Sequence, residues 1–258
     1  LRRLPSEQPF RICVGGSVRK GADVLKAHLA SLAWQEIPEQ VELGYCFVSD
    51  YPESCEGEDV LREFVGRQTM AAVMLNPDAR PPATDFSDAS PVTHEWTSGA
   101  MARVAGNKHA ILHHALQGGY DAVWLVDSDL ILDRTTLASL YAARKPVVAA
   151  VYWTRWHAGG EQKIHAAPQV WLKPVYELSK LPHYPEWEFR ARLANRELLP
   201  VGGLGACTLI RRSVIEKGVN FTKPPGFPAG GLWDGEDRHF CDWARRLHVD
   251  LYADAWPD

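Results

Sequence analysis

The chain has 258 residues, 46% hydrophobic and 23% charged, with a formal net charge of −4, a balance that suits one soluble domain with a sizeable core and excludes a broad basic face for nucleic acid. Its five cysteines (Cys13, Cys46, Cys55, Cys207, Cys241) form no C-x-x-C pair, so neither a zinc ribbon nor a disulfide framework is expected; they read as reduced thiols, four of them small core residues, of a cytoplasmic protein. No apolar run reaches the ~20 residues of a membrane helix, no signal peptide opens the chain, and Leu1 and Asp258 read as the ends of a domain cut from a longer chain.

A first strand is expected over residues 10–14, followed by Gly15-Gly16-Ser17. Val24, Leu25, His28, Leu29 and Leu32 then recur at helical spacing within 21–34, and Pro38 closes that unit. Residues 41–48 read as a second strand ending on Ser49-Asp50, 56–67 as a charged helix and 71–75 as a short third strand. Residues 76–94, rich in Pro and Asp, read as a loop long enough for a binding or lid role. A long helix over 95–117 carries the stripe Met101, Val104, Ala105, Ile111, Leu112 and Ala115, and Gly118-Gly119 ends it. Its histidines, His109, His113 and His114, read as surface or satisfied core groups.

The run 122–126 is continuously apolar, the pattern of a strand buried on both faces. A short helix over 134–143 and a strand over 146–151 follow. The alternation predicts an α/β fold with a mainly parallel, doubly wound sheet and helices on both faces. The rest is less regular. Residues 152–200 are rich in Trp, Tyr, His and Pro, with a strand expected over 167–172. Gly202-Gly203-Leu204-Gly205 leads into a strand over 206–210, and a short helix starts near Arg212. A Gly/Pro loop over 226–231 precedes a helix over 236–247 and a last strand over 249–252. One domain over 1–258 is the simplest organisation.

Two carboxylates, Asp127 and Asp129, flank Ser128 where the apolar strand ends. Ligands of open α/β sheets bind at that end. Like charges beside a buried strand call for a neutralising cation. Mn2+ or Mg2+ takes oxygen ligands and keeps positions open for phosphate oxygens. The bland reading is a solvated strand end with an Asp capping the next helix. Asp133 is the more natural cap, which leaves Asp127 and Asp129 without a structural task. Glu236-Asp237 opens a helix, where the dipole favours acidic residues, or it rims a site after the Gly/Pro loop.

In order along the chain, Ser31-Leu32 with Gln35-Glu36-Ile37-Pro38, Gly106-Asn107-Lys108 through Gly119-Tyr120-Asp121, Asp127-Ser128-Asp129, and Gly235-Glu236-Asp237 with Phe240 resemble the motifs of GT-A glycosyltransferases, the family 2 type in particular. The resemblance implies a hexosyl transfer from a UDP- or GDP-linked sugar to a hydroxyl of a carbohydrate, lipid or protein acceptor, inverting by direct displacement. Residues 1–130 would form the nucleotide-sugar half and 131–258 the acceptor half. It implies Gly15, Ser17 and Asp50 near the nucleoside, Asn107, Lys108, Asp127 and Ser128 near the donor, and Asp127 and Asp129 on the metal. Asp237 would be the base and Glu236 would bind the acceptor; read from the residues themselves, the glycine run holding Gly203 lets backbone approach a sugar, and Trp233 stacks on a sugar or base. The chain departs from the pattern at Gly106, where the family has Arg, so that role passes to Lys108 or Arg103. The second strand also ends differently, at Ser49-Asp50-Tyr51. His248 is a poor stand-in for the family's late histidine ligand, so the third metal ligand stays unassigned. Two other readings stay open: a nucleotidyltransferase, for which Gly15-Gly16-Ser17-Val18-Arg19-Lys20 is a faint signature, and a catalytically silent carbohydrate-binding domain.

Overall fold

In a computed structural model, described over residues 8–51, 54–75, 98–157, 164–171, 186–227 and 235–255, the apolar strands join in one eight-stranded sheet. β1 (Phe10–Val18) is flanked by β2 (Val41–Ser49) and β4 (Ala122–Val126), and β3 (Ala71–Leu75) extends β2; all four run parallel. β1 is longer than the expected 10–14. Its ladder to β2 continues through Gly15↔Cys46 and Gly16↔Phe47 to Val18↔Ser49. The two glycines belong inside the strand because the sheet is tight there. A Cβ on Gly15 would lie 2.3 Å from Cys46 O, and one on Gly16 2.3 Å from Val126 O.

The second half does not simply continue the parallel series. β11 (Cys207–Arg211) inserts antiparallel between β4 and β5 (Val147–Ala150). β12 (Leu251–Asp254) lies parallel beside β5, and β9 (Leu198–Val201) closes that edge antiparallel. The expected strand over 167–172 is divided. β6 (Trp153–His157) and β7 (Ile164–Pro168) form a separate antiparallel pair, and β8 (Val170–Trp171) pairs with β10 (Gly203–Leu204). A helix, α5 (Glu186–Ala194), precedes β9 where no helical period was legible.

Alternate residues of each strand feed two cores. Ile12, Val14, Phe47 and Trp124 pack under α1 (Ala22–Ala33), α2 (Glu56–Gly66) and α4 (Thr136–Ala142). Cys13, Cys46, Val123 and Leu125 pack under α3 (Ser98–Gln117), α6 (Arg212–Glu216) and α7 (Glu236–Arg246). Four of the five cysteines are buried, and all five are free thiols. His109 and His113 are exposed on α3. Among the described residues no helix is long and apolar enough to cross a membrane.

Candidate active site

β4 ends at Val126 because the Asp127 N–H leaves the regular ladder for Ala206 O (2.8 Å), at the entrance to β11. The chain then turns, with Leu130 N–H on Asp127 O (3.1 Å). Buried His28 of α1 supports this turn by donating Nδ1–H to Leu130 O (2.7 Å). Asp133 accepts from the Thr135 N–H (2.8 Å) and hydroxyl (2.6 Å) and so closes the turn ahead of α4, but the N-cap position itself is Thr135, which makes no side-chain capping bond. Asp127 and Asp129 are thus carried off the C-terminal end of a central strand, and 34% and 42% of their side-chain surfaces stay open.

The helix α3 brings Lys108 to this point. Its ammonium sits 2.9 Å from Asp237 Oδ1, 3.0 Å from Glu236 Oε1 and 3.4 Å from Asp127 Oδ1. Glu236 and Asp237 are the first residues of α7, so the helix start turns both toward the end of β4. Burial alone would lower the Lys108 pKa, but Asp127, Asp237 and Glu236 outweigh it and hold the ammonium well above its ordinary range. Burial, opposed by Lys108 and reinforced by Asp237, Glu236 and Asp129, pushes Asp127 up to about 7. Burial raises Asp237 as well, with Lys108 pulling the other way. On its far side Asp237 packs on Gly205, where a Cβ would lie 2.5 Å from Oδ2. Gly205 and Ala206, the latter at φ 22°, make the tight bend that starts β11.

A second cluster lies at the ends of β1 and β2. Asn107 Nδ2 donates to Ser17 Oγ (2.9 Å), and Arg103 Nε lies 3.7 Å from Asp50 Oδ1. Burial raises the Asp50 pKa against the pull of Arg103 and a hydrogen bond from Asn107. The residues named from sequence as Ser17, Asp50 and Asn107 therefore meet, beside the group of Lys108, Asp127, Glu236 and Asp237. Gly15 lies within the β1 ladder. Ser128 is buried between the two aspartates. Gly203 is buried with the Trp171 indole where its side chain would be. Trp233 lies outside the described residues. His248 is exposed in the turn before β12, at the end of the sheet opposite Asp127, because β12 runs in the same sense as β4.

Sequence reasoning missed three participants. Lys20, two residues beyond β1, pairs with Asp129 Oδ2 at 2.8 Å. The Gly15–Lys20 run was its only signal. Tyr152 follows β5, and burial with the charges of Asp127 and Asp237 pushes its phenol above its ordinary range; it sits in an aromatic-rich stretch that has no period. Gly205 was read with its loop and not as the wall behind Asp237.

Among the described residues, four carboxylates (Asp127, Asp129, Glu236, Asp237) thus face two ammonium groups (Lys108, Lys20). Among the described residues no group of three or more His, Cys, Asp or Glu side chains is arranged to hold a metal. The donor set fits a hard divalent cation held by one or two carboxylates and completed by a ligand's phosphate oxygens, not an all-protein cage. Beneath Lys108, between Leu125, Leu204, Thr208, Phe221 and Phe240, a cavity of about 10 Å3 has room for one water and none for a sugar.

No protein-family model matches the chain, and no curated protein sequence matches it. Solved structures do. S. aureus TarS, residues 1–349, superposes with a TM-score of 0.53 at 14% identity, over 95% of this chain and 58% of that one. The fold is GT-A-like. A mannosyltransferase of Pyrobaculum calidifontis, solved with GDP-Man and Mn2+, shares this GT-A-like fold at a TM-score of 0.51 and 13% identity, over 98% of this chain and 59% of that one. TarS with UDP superposes at 0.50, with 14% identity, over 96% and 58%. The chain therefore spans less than two thirds of the length of these GT-A-like neighbours. At this identity the likeness establishes the fold alone, and in it Asp127 and Asp129 follow the C-terminal end of β4.

Proposed function

We propose that the chain transfers a hexosyl group from a UDP- or GDP-linked sugar to an acceptor hydroxyl, with Mn2+ or Mg2+ and with inversion at the sugar. The observation that carries this reading is the meeting of Asp127 with Glu236 and Asp237 around Lys108, with Asp129 two residues on and paired to Lys20, at the C-terminal end of β4 in a GT-A-like sheet. Neighbours of this fold were solved with GDP-Man and Mn2+ and with UDP, which supports a nucleoside diphosphate as the ligand.

On this reading Ser17, Asp50, Asn107 and Arg103 border the nucleoside, and the nucleotide-sugar half covers residues 1–130. Asp129 and Asp127 would hold the cation, which when bound offsets charge on the departing diphosphate. Asp129 must then part from Lys20, whose ammonium lies at the same rim. Asp237 accepts the acceptor's proton, since it keeps 28% of its side chain open and its raised pKa strengthens it as a base. Glu236 orients the acceptor hydroxyl beside it. Residues 131–258 shape the acceptor side, with Gly203 and Trp233 as candidate contacts for a carbohydrate, lipid or protein acceptor. The free thiols suit a cytoplasmic setting.

The test is thermal unfolding with UDP, GDP or dTDP, each with and without Mn2+ or Mg2+. At a hundred times Kd a bound ligand adds about 2.7 kcal/mol, a rise in Tm of about 5–10 °C for a domain of this size. No rise with any of the three nucleotides would sink the donor-site assignment. Transfer from the corresponding sugar nucleotides should then fall by about 100-fold or more in Asp129→Ala, and activity that survives this change rejects the metal role.

A further inference from the structure

Lys108 is the least exposed charged group of the site, with 3% of its side chain open. An ammonium has three N–H donors. Three carboxylate oxygens surround this one, from Asp127 after β4 and from Glu236 and Asp237 at the start of α7. The ring of Phe221 also lies beside it, 5.4 Å from the ammonium to the centroid. A lysine that grips phosphate needs an N–H turned to the cleft, and here two N–H groups are donated to Glu236 and Asp237 while a third carboxylate, that of Asp127, lies 3.4 Å away as an ion pair.

We infer that Lys108 is a positioning residue, the internal cation that fixes the candidate base Asp237 relative to Asp127, and not a ligand of the donor phosphates. The inference rests on the glycosyl-transfer reading given above. Its physical reason is the crowding of like charge. Without a cation, Asp127, Glu236 and Asp237 would repel one another and move apart. A displaced Asp237 cannot reach the acceptor. Asp237 is held from both sides, by Lys108 on Oδ1 and by a hydrogen bond from the Ala206 backbone, with Oδ2 occupying the space beside Gly205. Lys108 lies on α3 in the first half of the chain and Asp237 on α7 in the second, so the one side chain sets the distance between donor side and base.

The experiment compares wild type, Lys108→Met and Lys108→Arg by calorimetric binding of UDP and GDP with Mn2+ and by steady-state transfer. A positioning role predicts that Lys108→Met binds nucleotide within about threefold of wild type while kcat falls about 100-fold or more, the span expected for loss of an aligned base. Lys108→Arg should recover part of that loss. Nucleotide binding weakened tenfold or more with kcat retained identifies a phosphate ligand and overturns the inference, as does an unchanged kcat.

If Lys108→Met does not fold, adding Glu236→Gln and Asp237→Asn to it should restore the thermal transition, because two of the three charges that Lys108 balances are then gone and the remaining Asp127 has no like charge beside it on α7. Failure of that rescue, with the Glu236→Gln/Asp237→Asn protein itself folded, also overturns the inference. Absence of any nucleotide binding by wild type would instead reject the functional reading, while the rescue experiment still decides whether Lys108 holds the carboxylates.

Discussion

At Gly205 one missing methyl group decides where a charge sits. The carboxylate of Asp237 occupies the space that a side chain at 205 would need, with Oδ2 2.5 Å from the place of a Cβ. Gly205→Ala must move a carboxylate that Lys108 holds from the other side. Overpacking of this kind costs about 1–3 kcal/mol. A shift of about 1 Å in a catalytic group lowers turnover by about 100-fold. We therefore expect Gly205→Ala to remain folded with a modestly lower Tm and to lose transfer activity far out of proportion to that change. Equal activity of the two proteins would show that Asp237 is not the base. This residue also marks how much of the site was legible. Asp127 and Asp129 stood out because they end an apolar run, and Glu236 and Asp237 because they open a helix after a Gly/Pro loop. Gly205 and Lys20 did not, because the role of each is set by a partner distant in sequence and not by a local pattern.

Among the elements, α1 contributes more than an apolar face. Leu25, Leu29 and Leu32 anchor it to the sheet, and His28, on the same stripe, reaches the turn that carries Asp129. Burial lowers the His28 pKa, against the pull of the Leu130 carbonyl and of Asp129. The unfolded chain therefore takes up a proton near the ordinary value of 6.5, while the folded chain resists until a lower pH. The stability tied to neutral His28 is complete above 6.5 and is lost as the pH falls toward the folded value. Its loss amounts to at most ~1.4 kcal/mol per pH unit. Gln at this position keeps a donor for Leu130 O and does not titrate. Tm measured from pH 8 to pH 5 should fall less steeply in His28→Gln than in wild type, and parallel profiles would remove His28 as the cause. The helical spacing that revealed α1 could not reveal this contact, because periodicity reports which face is buried and not what the face meets.

In the whole molecule, strand alternation was legible up to β5 because each βαβ unit is local. The insertion of β11 between β4 and β5 was not, nor were α5 and β9, because their partners are far away in sequence and their own residues carry weak periods. The resulting sheet has β3 and β9 at its edges and β1, β4, β11 and β5 inside. Amides of 122–126, 147–150 and 207–211 should exchange with deuterium most slowly, and those of 71–75 and 198–201 earliest. Rapid exchange across β11 would refute its central position.

That insertion also fixes a timetable for synthesis. Until residues 207–211 have left the ribosome, β4 and β5 have no strand to join them, and Lys108 must wait for Asp237, 129 positions later. At ordinary elongation rates this interval is on the order of ten seconds. For that time the nascent chain carries an open sheet edge and a lysine with only Asp127 of its three carboxylates, so the growing polypeptide is a natural client for a chaperone at the ribosome exit.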